Sequence, residues 1–92
     1  MRASEIAEGE GHAFSIGRKP VAVARVAGEL VVLHNECKHM ACETDWSDEL
    51  KGWECPCHGS RYAADGALLR GPAEEGLDKL PFTLKDDEIV LG

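Results

Sequence analysis

Two short stretches carry the reactive side chains of this sequence. ECKHMAC and ECPCHGS together hold all four cysteines, Cys37, Cys42, Cys55 and Cys57, and two of the four histidines, His39 and His58. Each stretch pairs one thiol with one imidazole at short range, as Cys37-x-His39 and Cys55-x-x-His58. Two thiolates and two imidazoles in two such pairs could bind one metal centre. Cys42 and Cys57 lie inside the same stretches. Two disulfides would use all four cysteines in any of three connectivities, but that ignores the histidines and needs an oxidising compartment that the sequence does not announce. Structural zinc accepts two Cys and two His, yet its usual pairing sets Cys with Cys and His with His, and here both pairs are mixed.

A [2Fe–2S] cluster explains the mixing. It has two irons, and one can take two thiolates while the other takes two imidazoles. With one Cys and one His on each of two facing loops, each iron draws one ligand from each loop, and the loops clamp the cluster between them.

At these residues the sequence resembles a known family. CxHxxC followed by CPCHGSxY is similar to the motif pair of Rieske proteins of the disulfide-bearing, high-potential kind; the likeness runs over about residues 21–92 and is dense from 36 to 72. The resemblance implies that Cys37 and Cys55 bind the inner iron and His39 and His58 the outer, solvent-facing one. It implies a disulfide between Cys42 and Cys57, a hydrogen bond from Ser60 to a bridging sulfide, and one from Tyr62 to the Cys37 sulfur. Arg70-Gly71-Pro72-Ala73 resembles the family's proline loop, which covers the cluster from a third side. Met40 stands where the family tends to have Leu, as a packing residue or a partner contact, and Glu74 stands where many members have a second proline.

Charge sets the expected potential. Two ferric ions, two sulfides and two thiolates sum to zero, whereas four thiolates leave a dianion, so a Rieske centre accepts an electron more readily. Such centres span roughly −150 to +300 mV, against about −400 mV for plant-type ferredoxins. Hydrogen bonds from Ser60 and Tyr62 withdraw density from sulfur and raise the potential further. An imidazole bound to ferric iron loses its remaining proton more easily than a free one, so His39 and His58 are expected to couple proton uptake to reduction.

The elements that position these loops read as all-β. Val21–Val26 and Leu30–His34 flank a Gly-containing turn and predict a hairpin, with Leu30–Leu33 apolar at successive positions and hence buried on both faces. Ala13–Gly17, Lys51–Cys55 and Ser60–Ala64 are shorter strand candidates. Asp65-Gly66 predicts a turn into Ala67–Leu69, and Pro81–Leu84, a turn at Lys85–Asp87, and Glu88–Gly92 predict a last hairpin. The fold expected is therefore a Rieske-type all-β fold in a single domain, residues 1–92. A small antiparallel sandwich or barrel base (1–35 and 76–92) would carry an inserted cluster-binding subdomain (36–75). Trp46 and Trp53 are expected in the core, and His12 and His34 at structural or surface positions.

Size and charge narrow the function. A domain of 92 residues buries only about 60–65% of its unfolded surface, so a metal centre or a disulfide would add needed stability. The net charge of −7 and pI near 5.0 argue against nucleic acid or an anionic membrane as partner. Glu43–Glu49 (ETDWSDE) reads as a solvated loop, or else a docking patch for a basic partner. No apolar run spans a bilayer and Met1–Phe14 lacks a secretory h-region, so a cytoplasmic location is expected. With no second metal motif and no nucleotide loop, the expected function is a one-electron carrier, not an enzyme on its own, passing electrons between a flavin or other redox donor and a terminal oxidoreductase. Thr44–Ala73 resembles the Rieske domains attached to some cytosolic FAD-dependent oxidoreductases, so the expected partners are flavoproteins or haem or non-haem iron oxidoreductases. The alternatives are a component of a quinol-oxidising, cytochrome bc-type or arsenite-oxidase-like complex, the ferredoxin of an aromatic-ring dioxygenase, and a metal-binding module without redox work.

Overall fold

The computed structural model describes residues 2–37, 42–57 and 59–92. After a 3₁₀ turn at Ala3–Glu5 come nine strands: β1 (Gly11–Ile16), β2 (Lys19–Val26), β3 (Glu29–His34), β4 (Asp45–Ser47), β5 (Gly52–Glu54), β6 (Arg61–Ala63), β7 (Leu68–Arg70), β8 (Phe82–Lys85) and β9 (Glu88–Leu91). They form three antiparallel groups, β1-β2-β3, β4-β5-β6-β7 and the hairpin β8-β9. The all-β reading holds.

Period-two alternation explains the layering. On β2, Val21 and Val23 point to one side, where they pack with Ile6, Val32 and Ile89, while Ala22 and Ala24 point to the other and pack with Leu33, Trp53 and Tyr62. The middle sheet is thus covered on both faces, by the β8-β9 hairpin and by the four-stranded sheet. Val32 and Leu33, adjacent on β3 and facing opposite ways, are 2% and 0% exposed, which is the double burial expected of this strand. The face with the small alanines receives the bulkiest partners, Trp53 and Tyr62, so the two layers approach without overpacking.

Two elements differ from expectation. The acidic run Glu43–Glu49 is not all loop: Asp45–Ser47 is β4, paired with β5 so that Trp46 faces Trp53. The two indoles meet edge to face, with centroids 5.0 Å apart and planes at 71°, a favoured aromatic geometry. Trp46 also stands over Gly11 of β1, where any Cβ would overlap its ring. The strand is held by this packing, which outweighs the poor strand propensity of Asp and Ser. The 3₁₀ turn was also unanticipated. Arg25 fastens it, donating from Nε to Ile6 O (2.7 Å) and from a terminal nitrogen to Ala3 O (2.9 Å). Among the described residues, no helix is long and apolar enough to cross a membrane.

Candidate cluster-binding site

Two loops leave the sheets side by side, one from β3 to β4 and one from β5 to β6. Each is closed at its neck by a backbone hydrogen bond. The Cys37 N–H donates to Cys42 O (2.7 Å), and the Cys55 N–H to Ser60 O (2.8 Å). Gly59 turns the second loop at φ +80°, a left-handed conformation that favours glycine, and donates to Cys55 O. The Cys42–Cys57 disulfide implied by the resemblance is present, spanning 6.5 Å between Cα atoms and tying one loop to the other.

Asn35 and Thr44 brace the first loop from within the protein. Both are buried, at 0% and 1% exposure. Asn35 Oδ1 accepts from the Thr44 N–H (2.9 Å) and from the Thr44 hydroxyl, while Asn35 Nδ2 donates to Thr44 O (3.2 Å). One side chain thereby satisfies both backbone groups of a residue nine positions away, as a neighbouring strand would. Sequence reasoning missed this pair. The only signal is positional: a carboxamide two residues before Cys37 and a hydroxyl two residues after Cys42.

The remaining two cysteines lie inside. Cys37 and Cys55, outside the disulfide, are 2% and 1% exposed and belong to the same core cluster as Trp53 and Tyr62. The Tyr62 hydroxyl lies 3.2 Å from Cys37 Sγ; opposite a thiolate it can only be the donor. Ser60 is fully buried and its Oγ accepts from the Ala73 N–H (3.0 Å), which leaves the hydroxyl proton to be donated elsewhere. That contact docks a third segment, Arg70–Ala73, whose Gly71–Pro72 bond is cis, onto the second loop. His39, His58 and Met40 lie outside the described residues. The sulfurs of Cys42, Cys55 and Cys57 come within 4.8 Å of one another, but two of them are joined in the disulfide, so this trio offers a metal only the Cys55 sulfur. Two buried soft thiolate donors with a hydroxyl aimed at one of them suit an iron–sulfur cluster and fit its needs well.

The strand register lays a charged row across the outer face of the four-stranded sheet, beside the second loop: Asp45, Glu54, Arg61 and Arg70 stand opposite one another in turn. Arg61 Nε lies 3.1 Å from Glu54. His12 and His34 sit at 3.5 and 3.8 Å from Glu10 and Glu36 near the surface.

Comparison with known proteins decides the family. The family model described as Rieske [2Fe-2S] domain matches residues 1–81. The chain belongs to the Rieske [2Fe-2S] domain family. It is similar to the Bacillus subtilis (strain 168) protein that carries the name Rieske 2Fe-2S iron-sulfur protein YhfW, with 39% identity over 77 residues, 83% of this chain and 15% of that one. It is also similar to the cytochrome b6-f complex iron-sulfur subunit of Gloeobacter violaceus, with 44% identity over 55 residues, 60% of this chain and 30% of that one. Among solved structures, the plasma membrane Rieske protein PetC3 from Synechocystis PCC 6803 superposes with a TM-score of 0.74 at 27% identity, covering 87% of this chain and 83% of that one. The chain spans less than a third of the length of those two curated relatives. Its cofactor is a Rieske-type [2Fe–2S] cluster, and the domain is a Rieske-type electron carrier.

Proposed function

We propose that this Rieske domain passes single electrons from a flavin-containing or other redox donor to a terminal oxidoreductase, with Cys37 and Cys55 holding the inner iron and His39 and His58 the outer one. The observation that carries the ligand assignment is the split among the cysteines. Cys42 and Cys57 are bonded to each other, while Cys37 and Cys55 are buried side chains at corresponding neck positions of the two loops. When bound, the cluster takes up and returns one electron. The chain's own residues tune that exchange. Tyr62 donates to the Cys37 sulfur, Ser60 has a hydroxyl proton to offer at the same site, and both draw negative charge off sulfur and raise the potential. Residues 36–75 serve as the cluster-binding subdomain on a base formed by 1–35 and 76–92; the distribution of strands, with β4–β7 confined to 45–70, supports this division. In the Bacillus relative the matching region is a small part of a much longer chain, in keeping with a domain that works beside a larger redox partner.

A second reading, a component of a quinol-oxidising complex, is favoured by the 44% identity over 55 residues to a cytochrome b6-f complex iron-sulfur subunit. An optical redox titration at several pH values tests both. A red protein with a midpoint above about +100 mV, falling at alkaline pH, is expected of either. Reduction by a quinol analogue with cytochrome c as acceptor favours the second reading, and reduction by a flavoprotein alone favours the first. A midpoint near −150 mV refutes the high-potential assignment and indicates an oxygenase-type ferredoxin, and a protein that binds only zinc refutes electron transfer altogether.

A further inference from the structure

The cluster of sulfurs where the two loops are tied together suggests chemistry of its own. Cys55 Sγ lies within 4.8 Å of both sulfurs of the Cys42–Cys57 disulfide, and rotation about χ1 carries a cysteine sulfur from one staggered position to another. Cys55 is 1% exposed, Cys42 is half-buried and Cys57 faces solvent. We propose that these three residues form a thiol–disulfide exchange site that operates when the chain holds no cluster. The Cys55 sulfur, giving its proton to water, attacks Cys42 Sγ; the Cys42–Cys55 bond forms, the Cys42–Cys57 bond breaks, and Cys57 leaves as a thiolate that takes a proton from water. One disulfide replaces another, so no oxidant or reductant is consumed.

Attack falls on Cys42 because only Pro56, with its fixed φ, separates Cys55 from Cys57, and a bridge between those two would close a very tight ring. Exposure favours the same direction, since the leaving sulfur is the one that water can solvate. Chain entropy does not oppose it. The present bridge joins residues fifteen apart and the exchanged one would join residues thirteen apart. Loop closure depends only logarithmically on length, so the two bridges constrain the unfolded chain almost equally. The exchanged chain would keep its loops tied while its Cys55 sulfur is capped. This consequence for loading rests on the proposed role of Cys55 as a ligand; the exchange itself rests on the sulfur positions. Cluster binding and exchange then compete for one sulfur, and a loaded chain is protected.

The test starts from the iron-loaded protein. Iron is removed with a chelator in neutral buffer free of reductant, and samples are trapped over time with N-ethylmaleimide in denaturant at mildly acidic pH, which opens the buried thiols to label while slowing exchange. They are then digested with trypsin without reduction. Cleavage after Lys38 and Lys51 separates Cys37, Cys42 and the Cys55/Cys57 peptide, and fragmentation locates the label on Cys55 or Cys57. The label is expected to move from Cys55 to Cys57 as a Cys42–Cys55 bridge grows in, with Cys37 labelled throughout and no shift in the sample that keeps its iron. A Cys37→Ser chain, prepared without chelator, is expected to show the same shift. Label that stays on Cys55 at all times overturns the proposal. So does entry of Cys37 into bridges as often as Cys55, which is the random scrambling of an unfolded chain. A chain that never takes up iron refutes the proposed function instead, and the label position is still read in that sample.

Discussion

Replacing Asn35 should be among the costliest single changes outside the cysteines. In Asn35→Ala the Thr44 N–H and C=O, both at a residue that is 1% exposed, lose their partner. Each buried polar group left unsatisfied costs roughly 1–3 kcal/mol, so the pair costs about 2–6 kcal/mol, a large share of the 5–15 kcal/mol that holds a domain together. Asn35→Asp keeps the shape and the two bonds accepted by Oδ1, but sets a second oxygen against Thr44 O where Nδ2 had donated. Only the protonated acid can donate there, so folding raises the pKa of this Asp. The sign follows. Stability tied to a raised pKa is fully present below the unfolded value, about 3.9 for Asp, and is lost as pH rises through the folded value. The gap between wild type and Asn35→Asp should therefore widen from acid to neutral pH, while the gap for Asn35→Ala stays flat. Native-state amide exchange at Val23 and Leu33 in the central sheet reads this on the loaded protein without requiring reversible unfolding. About thirtyfold faster exchange corresponds to the lower bound of 2 kcal/mol. An Asn35→Ala protein exchanging within a fewfold of wild type, or an Asn35→Asp gap that does not change with pH, would refute the brace.

Three further outcomes follow from single contacts. Removing the disulfide as Cys42→Ser/Cys57→Ser frees a fifteen-residue separation and should cost about 3 kcal/mol, lowering the melting temperature by about 12–24 °C; a shift of a few degrees would show that the loops are constrained by other means. Tyr62→Phe removes only the hydroxyl that meets Cys37 Sγ and should lower the midpoint potential with the absorption spectrum retained, so an unchanged midpoint counts against the tuning role. The Ser4 hydroxyl, hydrogen-bonded to the Asp87 carboxylate, holds that group below the usual carboxylate range. A depressed pKa contributes stability that is present above about pH 4 and lost as pH falls through the folded value. Exchange of the Ser4 amide should therefore quicken in that acid range in wild type, and Ser4→Ala should flatten the response.

Much of this fold is written in local pattern. Strands β2, β3, β8 and β9 are runs of β-branched and apolar residues between turns with clear chemistry, and at Asp86 and Asp87 the two acids adopt the positive φ values, 50° and 67°, that a tight hairpin turn requires. β4 was hidden because three residues within an acidic run carry too little periodicity, and what makes them a strand is an indole packed on Trp53 and Gly11 from elsewhere in the chain. The Asn35–Thr44 brace and the Arg25 clamp were hidden for a similar reason. A single polar side chain beside a loop looks solvated until the fold buries it against a distant backbone. The disulfide pairing came from family resemblance, since spacing alone left three connectivities open.

The short span Cys55–Tyr62 shows how little separates core from site. Within three residues the chain puts Cys55 inside and Cys57 in solvent, and the proline between them breaks the strand so that the two sulfurs serve different ends. Cys55 joins Trp53, Tyr62, Leu33 and Ala73 in one buried cluster, so the sulfur proposed as an iron ligand is a member of the hydrophobic core. Tyr62 belongs to both, with its ring packed in that core and its hydroxyl on Cys37. A domain of this size has little apolar area to spare, and here the side chains around the two proposed ligand cysteines are the same ones that hold the two sheets together. Stability and cluster retention should therefore fall together for any change to Trp53, Tyr62 or Ala73 that opens this layer, whereas equivalent changes to Ile6 or Ile89, on the far side of the middle sheet, should lower stability while the spectrum of the folded protein stays unaltered.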